Sequence, residues 1–181
     1  MNRGKKAVKS GQYGENTFEG AIIPYVPDIV WFNDFRYKDL YPGPYPDDLR
    51  LAVRQYHTKS PFNGGGKRSQ AKNDFMIFGG ETIFCQVKNQ NEGGTTDEKI
   101  VAAFKMAQYA LTTTPYDRFL LVLLGIHWST KERLIQWARE VAAPKMELGW
   151  ATFGGKVSVD IAHGPVELAK ILAEYKERGI L

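Results

Sequence analysis

A single cysteine, Cys85, stands among 181 residues, so the chain holds no intrachain disulfide framework and reads as a protein of a reducing cytoplasm. Cys85 lies inside an apolar run, where it reads as a small buried hydrophobe rather than a nucleophile. No apolar run approaches the ~20 residues a helix needs to span a bilayer, so no membrane partner is expected. The N-terminal MNRGKKAVKSG is basic but lacks the apolar stretch of a secretory signal. Three histidines, His57, His127 and His163, are scattered without metal-ligand spacing, which argues against a zinc enzyme. Internal repeats and low-complexity linkers are also missing. One domain over residues 1–181 is the expectation, with a core at about residues 10–125 and a C-terminal strand and helices over 126–181.

Acidic residues are missing from two stretches. The first ten residues hold Arg3, Lys5, Lys6 and Lys9 and no acid. Residues 59–72 hold Lys59, Lys67, Arg68 and Lys72, again without an acid. The net charge of +4 is too mild to identify a nucleic-acid partner, but these two patches fit phosphate contact.

The stretch from Asn73 to Ile100 carries the densest chemistry. Two apolar runs, Asp74–Phe78 and Thr82–Lys88, flank Gly79-Gly80 and predict a β-hairpin. Side chains alternate along a strand, so Gln86 and Lys88 share one face while Ile83, Cys85 and Val87 point the other way into a core. A two-residue Gly79-Gly80 turn places Asp74 on the wrong face for these polar groups. A three-residue loop, Phe78-Gly79-Gly80 with Gly80 left-handed, pairs Asp74 with Phe84 and sets it diagonal to Gln86. The longer loop is therefore expected.

An Asp at a strand start followed by Gln86-Val87-Lys88 on the next strand resembles the PD-(D/E)xK nuclease superfamily, whose fold is known from type II restriction endonucleases. Gln86 departs from the usual acid. The continuation Lys88-Asn89-Gln90 and Gly94-Thr95-Thr96-Asp97-Glu98-Lys99 is also similar to restriction-type members. The resemblance implies a Mg²⁺ site, with Mn²⁺ as a substitute, held by Asp74, Gln86 and the Val87 carbonyl. It also implies an acid from the first helix, Glu15 within Gly14-Glu15, with Glu19 in reserve. Lys88 is then the catalytic ammonium, beside Asp74, Gln86 and Glu15. Double-stranded DNA is the implied substrate, and symmetric cutting would imply a two-fold homodimer.

The flanking chain is read around this centre. A helix is predicted over about Gln12–Ile22, with Glu15 and Glu19 one turn apart and Pro24 stopping it. Tyr25–Pro46 is rich in aromatics, among them Trp31, Phe32, Phe35, Tyr37, Tyr41 and Tyr45. It begins with an extended piece near Ile29–Phe32, and its aromatics suit either satellite-core packing or stacking on bases. Asp47 reads as the N-cap of a short helix carrying Leu49, Val53 and Tyr56, with His57 near its end. Ser60–Asn73, SPFNGGGKRSQAKN, reads as a DNA-clamping loop; a strand follows it, which excludes a P-loop. Thr95–Glu98 has capping-box form and opens a helix to about Leu111, with Lys99 near a phosphate site. Asp117–Leu124 reads as a buried strand. Ser129 and Glu132 repeat the capping-box form for a helix to about Val141, Lys156–Ile161 forms a strand, and Gly164-Pro165 opens a final amphipathic helix.

The sum is an α/β fold, a restriction-endonuclease-like mixed sheet flanked by helices. The expected function is that of a Mg²⁺-dependent DNA endonuclease, sequence-specific and double-strand-cutting. The alternatives are a non-catalytic DNA-binding protein on the same fold and a structure-specific junction or repair nuclease. The DNA-contacting residues are expected among Lys67, Arg68, Lys72, Lys99, Lys5, Lys6 and Lys9.

Overall fold

The computed structural model describes residues 3–40, 45–59, 70–91, 96–111, 115–142 and 157–181, with the side chains of 3–10, 40, 58–59, 70–72, 96–97 and 141–142 outside that description. Helix α1 (Arg3–Ile22) leads to β1 (Ile29–Trp31), β2 (Leu51–Lys59), β3 (Gln70–Phe78) and β4 (Thr82–Asn89). Helix α2 (Thr96–Leu111), β5 (Arg118–Leu124), α3 (Glu132–Ala142), β6 (Ser158–His163) and α4 (Gly164–Glu177) complete the chain. Among the described residues the strands form one six-stranded sheet in chain order. β2, β3 and β4 form an antiparallel meander, and β1, β5 and β6 join it in parallel. The result is a mixed α/β sheet flanked by helices, as the apolar patterning predicts. No helix among the described residues is long and apolar enough to cross a membrane.

Both faces of the sheet are covered, which is why β5 (RFLLVLL) is buried at every position. Phe119, Leu121 and Leu123 pack with α2 and α3 through Ile100, Phe104, Ile135 and Ala138. Leu120, Val122 and Leu124 pack with α1 and α4 through Phe18, Ile22, Leu168, Leu172 and Tyr175. One face of each helix is thus buried, as the amphipathic reading of α4 expects. Pro165 stands at the start of α4, where its missing N–H leaves no bond unmade. Buried Arg118 ties the sheet's lower edge together, bonding Glu81 at 3.0 Å and Asp160 at 2.7 Å. Burial opposes its charge, but these two carboxylates outweigh burial and raise its pKa.

Several local expectations are corrected. The helix predicted at Leu49–Tyr56 is strand β2, and the reason is a kink. Gln55 has φ of +55°, so Val53 and Tyr56 reach the same core although they stand three apart on a strand. That spacing imitates a helical face. His57 is accordingly a strand residue, stacked on Phe32 with ring centroids 4.4 Å apart. α1 starts at Arg3 rather than near Gln12, so the basic N-terminal residues continue a helix. β3 starts at Gln70, which moves Lys72 from loop to strand and Asp74 from strand start to mid-strand. Ser129 does not cap α3: its Oγ donates to the Ile126 carbonyl within a 3₁₀ turn over Ile126–Thr130. The expected roles of Lys67, Arg68 and Thr95 lie outside the described residues.

The hairpin loop is also displaced. Phe78 pairs with Thr82, leaving Gly79-Gly80-Glu81 as the three-residue loop, one residue later than expected. Gly80 is not among the left-handed glycines. Close approach explains it instead. A Cβ at Gly80 would stand 1.9 Å from the Gly179 carbonyl oxygen, and one at Gly79 2.4 Å from that of Ile180. The C-terminal residues lie directly on this turn, and the Glu81 N–H donates to the Ile180 carbonyl at 3.1 Å.

Candidate active site

β3 pairs with β2 on both sides of Asp74, the register skipping Gln55 and Asp74, but leaves β4 after Phe75↔Cys85. Asp74 is the first residue beyond that parting. Continuing the register sets it opposite Gln86, two residues nearer Lys88 than the Phe84 pairing expected from sequence. Where the ladder stops, the side chain substitutes for backbone: Asp74 Oδ2 accepts the Val87 N–H at 2.6 Å. The same oxygen accepts Lys88 Nζ at 3.2 Å, and Lys88 also donates to Gln86 Oε1 at 2.6 Å. The predicted acid, amide oxygen and ammonium therefore meet.

Each member is held from behind. Gln86 Nε2 donates to Asn73 Oδ1 at 3.2 Å, and the buried Asn73 amide donates to the Tyr56 carbonyl at 3.2 Å. Buried Trp128 donates its indole N–H to the Lys88 carbonyl at 2.9 Å, fixing the strand that carries the ammonium. The Gln90 N–H donates to the Leu124 carbonyl, and the Gln90 carbonyl accepts the His127 N–H, so the turn after β5 wraps around the end of β4. Lys99, expected to meet a phosphate, donates to Gln90 Oε1 at 2.5 Å.

The third side of the site comes from α1. Gly14 permits the approach: a Cβ there would stand 2.5 Å from Asn89 Cβ and 3.5 Å from Val87 Cγ1. The next residue, Glu15, accepts Gln55 Nε2 at 2.8 Å and pairs with Arg54 at 3.3 Å. Burial raises the Glu15 carboxyl pKa, the negative charge of Asp74 raises it further, and Arg54 and Gln55 pull it back. Glu15 thus shares the field of Asp74. Glu19, the reserve acid, is turned to Arg54 with its Oε2 2.5 Å from NH1. Arg54 is 6% exposed and also donates to Asn16 Oδ1 at 2.8 Å. Its Nε is buried without a partner among the described residues.

Arg54, Gln55 and Asn73 were not identified as site residues from sequence. Arg54 had a signal, a charge inside the apolar run Leu-Ala-Val-Arg. Gln55 had none, because its placement depends on the left-handed kink. Lys5, Lys6 and Lys9 lie on α1, and Lys72 stands opposite His57 on β3, with all four side chains outside the described residues.

Mg²⁺ takes few protein ligands, all hard oxygens. Among the described residues no three His, Cys, Asp or Glu side chains cluster around a possible metal position. A donor set here would consist of two carboxylates, Asp74 and Glu15, completed by the neutral oxygens of Gln86 and the Val87 main chain. Two like charges in one another's field are what a divalent cation relieves, so the residues fit. No protein-family model matches the chain, and neither a curated protein nor a solved structure matches it.

Proposed function

We propose that the protein is a Mg²⁺-dependent DNA endonuclease built on a restriction-endonuclease-like core. The observation that carries this reading is the meeting of Asp74, Gln86 and Lys88 at the parting of β3 and β4, with Glu15 brought in by α1. The element order from α1 through the β2–β3–β4 meander to α2 and β5 supports it.

Phosphodiester hydrolysis joins a water oxygen to phosphorus, breaks the bond to one ester oxygen and returns a proton to that oxygen. The Lys88 ammonium, steered by Asp74 and Gln86, donates a hydrogen bond to the attacking water and favours loss of its proton. It also faces the growing negative charge on phosphate. Bound by Asp74, Glu15, Gln86 and the Val87 carbonyl, Mg²⁺ would supply positive charge to the phosphate oxygens. Gln86 contributes an oxygen without charge, so Glu15 becomes the second acid the site needs. Trp128 and Asn73 hold the backbone and amide against reorientation.

A second reading, a non-catalytic DNA-binding protein, is favoured by one feature: both polar ends of the Gln86 amide are already engaged, by Lys88 and Asn73. Incubation with plasmid and genomic DNA separates the two. Cleavage in Mg²⁺ that is lost in EDTA and in Lys88→Ala supports the endonuclease, and discrete fragments add sequence specificity. Salt-dependent binding without cleavage across metals supports the second reading.

A further inference from the structure

Most aromatics of the Tyr25–Tyr45 segment serve the core: Phe32 and Phe35 are buried and pack with Tyr45, Tyr56 and Phe78. Trp31 does not. It ends the edge strand β1 and is 51% exposed, an unusual position for so large a ring. Its surroundings hold it in place. Trp31 lies beside Arg54 in the β1–β2 register, and the Arg54 guanidinium stands 4.7 Å from the indole centroid. That guanidinium is itself immobilised by Glu15, Glu19 and Asn16. The indole is thus backed by a rigid cation, with half of its surface open.

We propose that Trp31 is a stacking platform for an unpaired base of the strand bound at Asp74 and Lys88; the proposal rests on the nucleic-acid reading of that site. Three observations carry it. The Arg54 guanidinium that backs Trp31 also pairs with Glu15 at 3.3 Å, and Glu15 is the second carboxylate of the proposed site. Only that one guanidinium stands between the ring and the site's second carboxylate, so a strand whose phosphate lies at the site brings a neighbouring nucleotide to Trp31. The corner offers a ring rather than a charge, because Arg54 is matched by two carboxylates, so it suits a base and not a phosphate. Every base has a π-face, so this contact tolerates any sequence but needs an unstacked base. The favoured substrate is DNA with a single-stranded, frayed or displaced portion at the cleavage site.

The test uses the Lys88→Ala protein in EDTA, so that binding is read without cleavage. Tryptophan emission is followed during titration with a single-stranded oligonucleotide and with an intact blunt duplex of the same length. Quenching by the single strand that disappears in the added Trp31→Phe change is expected. Trp31→Ala should weaken single-strand binding about tenfold or more and leave duplex binding within about twofold. Trp31→Phe keeps an aromatic ring, so it should retain most of the affinity that Trp31→Ala loses, which separates stacking from misfolding. Trp31-independent quenching, equal quenching by the intact duplex, or quenching on self-association without DNA would each overturn the platform. Cleavage by the unmodified protein is scored separately. Cleavage without Trp31-dependent quenching defeats the platform alone, whereas that quenching without cleavage defeats only the nuclease reading.

Discussion

Asp74 Oδ2 accepts the main-chain N–H of Val87 across the parting of β3 and β4, at 2.6 Å. One oxygen thus ends the antiparallel ladder and also holds Lys88. An uncharged amide oxygen can fill the first role but supplies no charge for the second. Asp74→Asn should keep stability within about 1 kcal/mol of the parent while lowering cleavage about a hundredfold or more. Lys88→Ala should do the same to cleavage. Chemical denaturation beside a plasmid-nicking assay checks both, and full activity in either variant removes the site assignment.

Gln86 accepts the ammonium but carries no charge. Gln86→Glu keeps the oxygen that faces Lys88 and adds a negative ligand. Tighter Mn²⁺ binding by calorimetry, with cleavage retained, is expected. Unchanged metal affinity would mean that position 86 lies outside the donor set.

The approach of α1 to β4 depends on Gly14, where a Cβ would meet Asn89 Cβ at 2.5 Å. Gly14→Ala must push the helix outward, and with it Glu15. Cleavage should fall about tenfold or more at saturating DNA, since misplacing a reacting group by about 1 Å can cost a hundredfold. Gly20→Ala, where nothing lies within 4 Å of the added carbon, is the control and should leave cleavage unchanged.

Gln55 adopts a left-handed conformation that costs a non-glycine residue about 1–3 kcal/mol. Gln55→Val adds a branched Cβ to that backbone and removes the bond to Glu15, so it should destabilise by about 2 kcal/mol or more. Gln55→Gly relaxes the backbone while losing the same bond, and should stay within about 1 kcal/mol of the parent. Equal destabilisation by the two variants in urea titrations would rule out the kink as the source of strain.

Burial, and then the charge of Asp74, raise the Glu15 carboxyl pKa above its ordinary range, so the native state holds a proton that the unfolded chain releases. Stability of the metal-free protein from this group is complete at low pH. It is lost as pH rises from the ordinary carboxyl range through the native value. Glu15→Gln should flatten that slope in urea titrations carried upward from the ordinary carboxyl range. Glu167 provides the opposite sign: burial opposes its charge, but the His163 N–H and Arg139 outweigh it and lower its pKa. Its contribution is present above the ordinary range and is lost on acidification, and Arg139→Ala should diminish it.

The sequence by itself determined the elements whose patterns are local. Apolar spacing marked α2 and α4, an uninterrupted apolar run marked β5, and alternation marked the Gln86–Lys88 strand with Cys85 in the core. The D-x(n)-Q-x-K spacing also brought Asp74, Gln86 and Lys88 together, because a three-residue loop keeps their faces matched whether it opens at Phe78 or at Gly79. Only tertiary structure decided the rest. The glycines of the hairpin answer to the C-terminal residues lying on them, a contact about a hundred residues away in sequence that no turn preference registers. β2 imitates a helix because one left-handed residue resets its alternation, and a kink of that kind leaves no mark in composition. Arg54 becomes the hub between Glu15, Glu19 and Trp31 only when α1 and β1 pack against β2 from different parts of the chain. Local periodicity reports which face of an element is apolar; it carries no information on which polar groups distant elements bring to the sheet's open end.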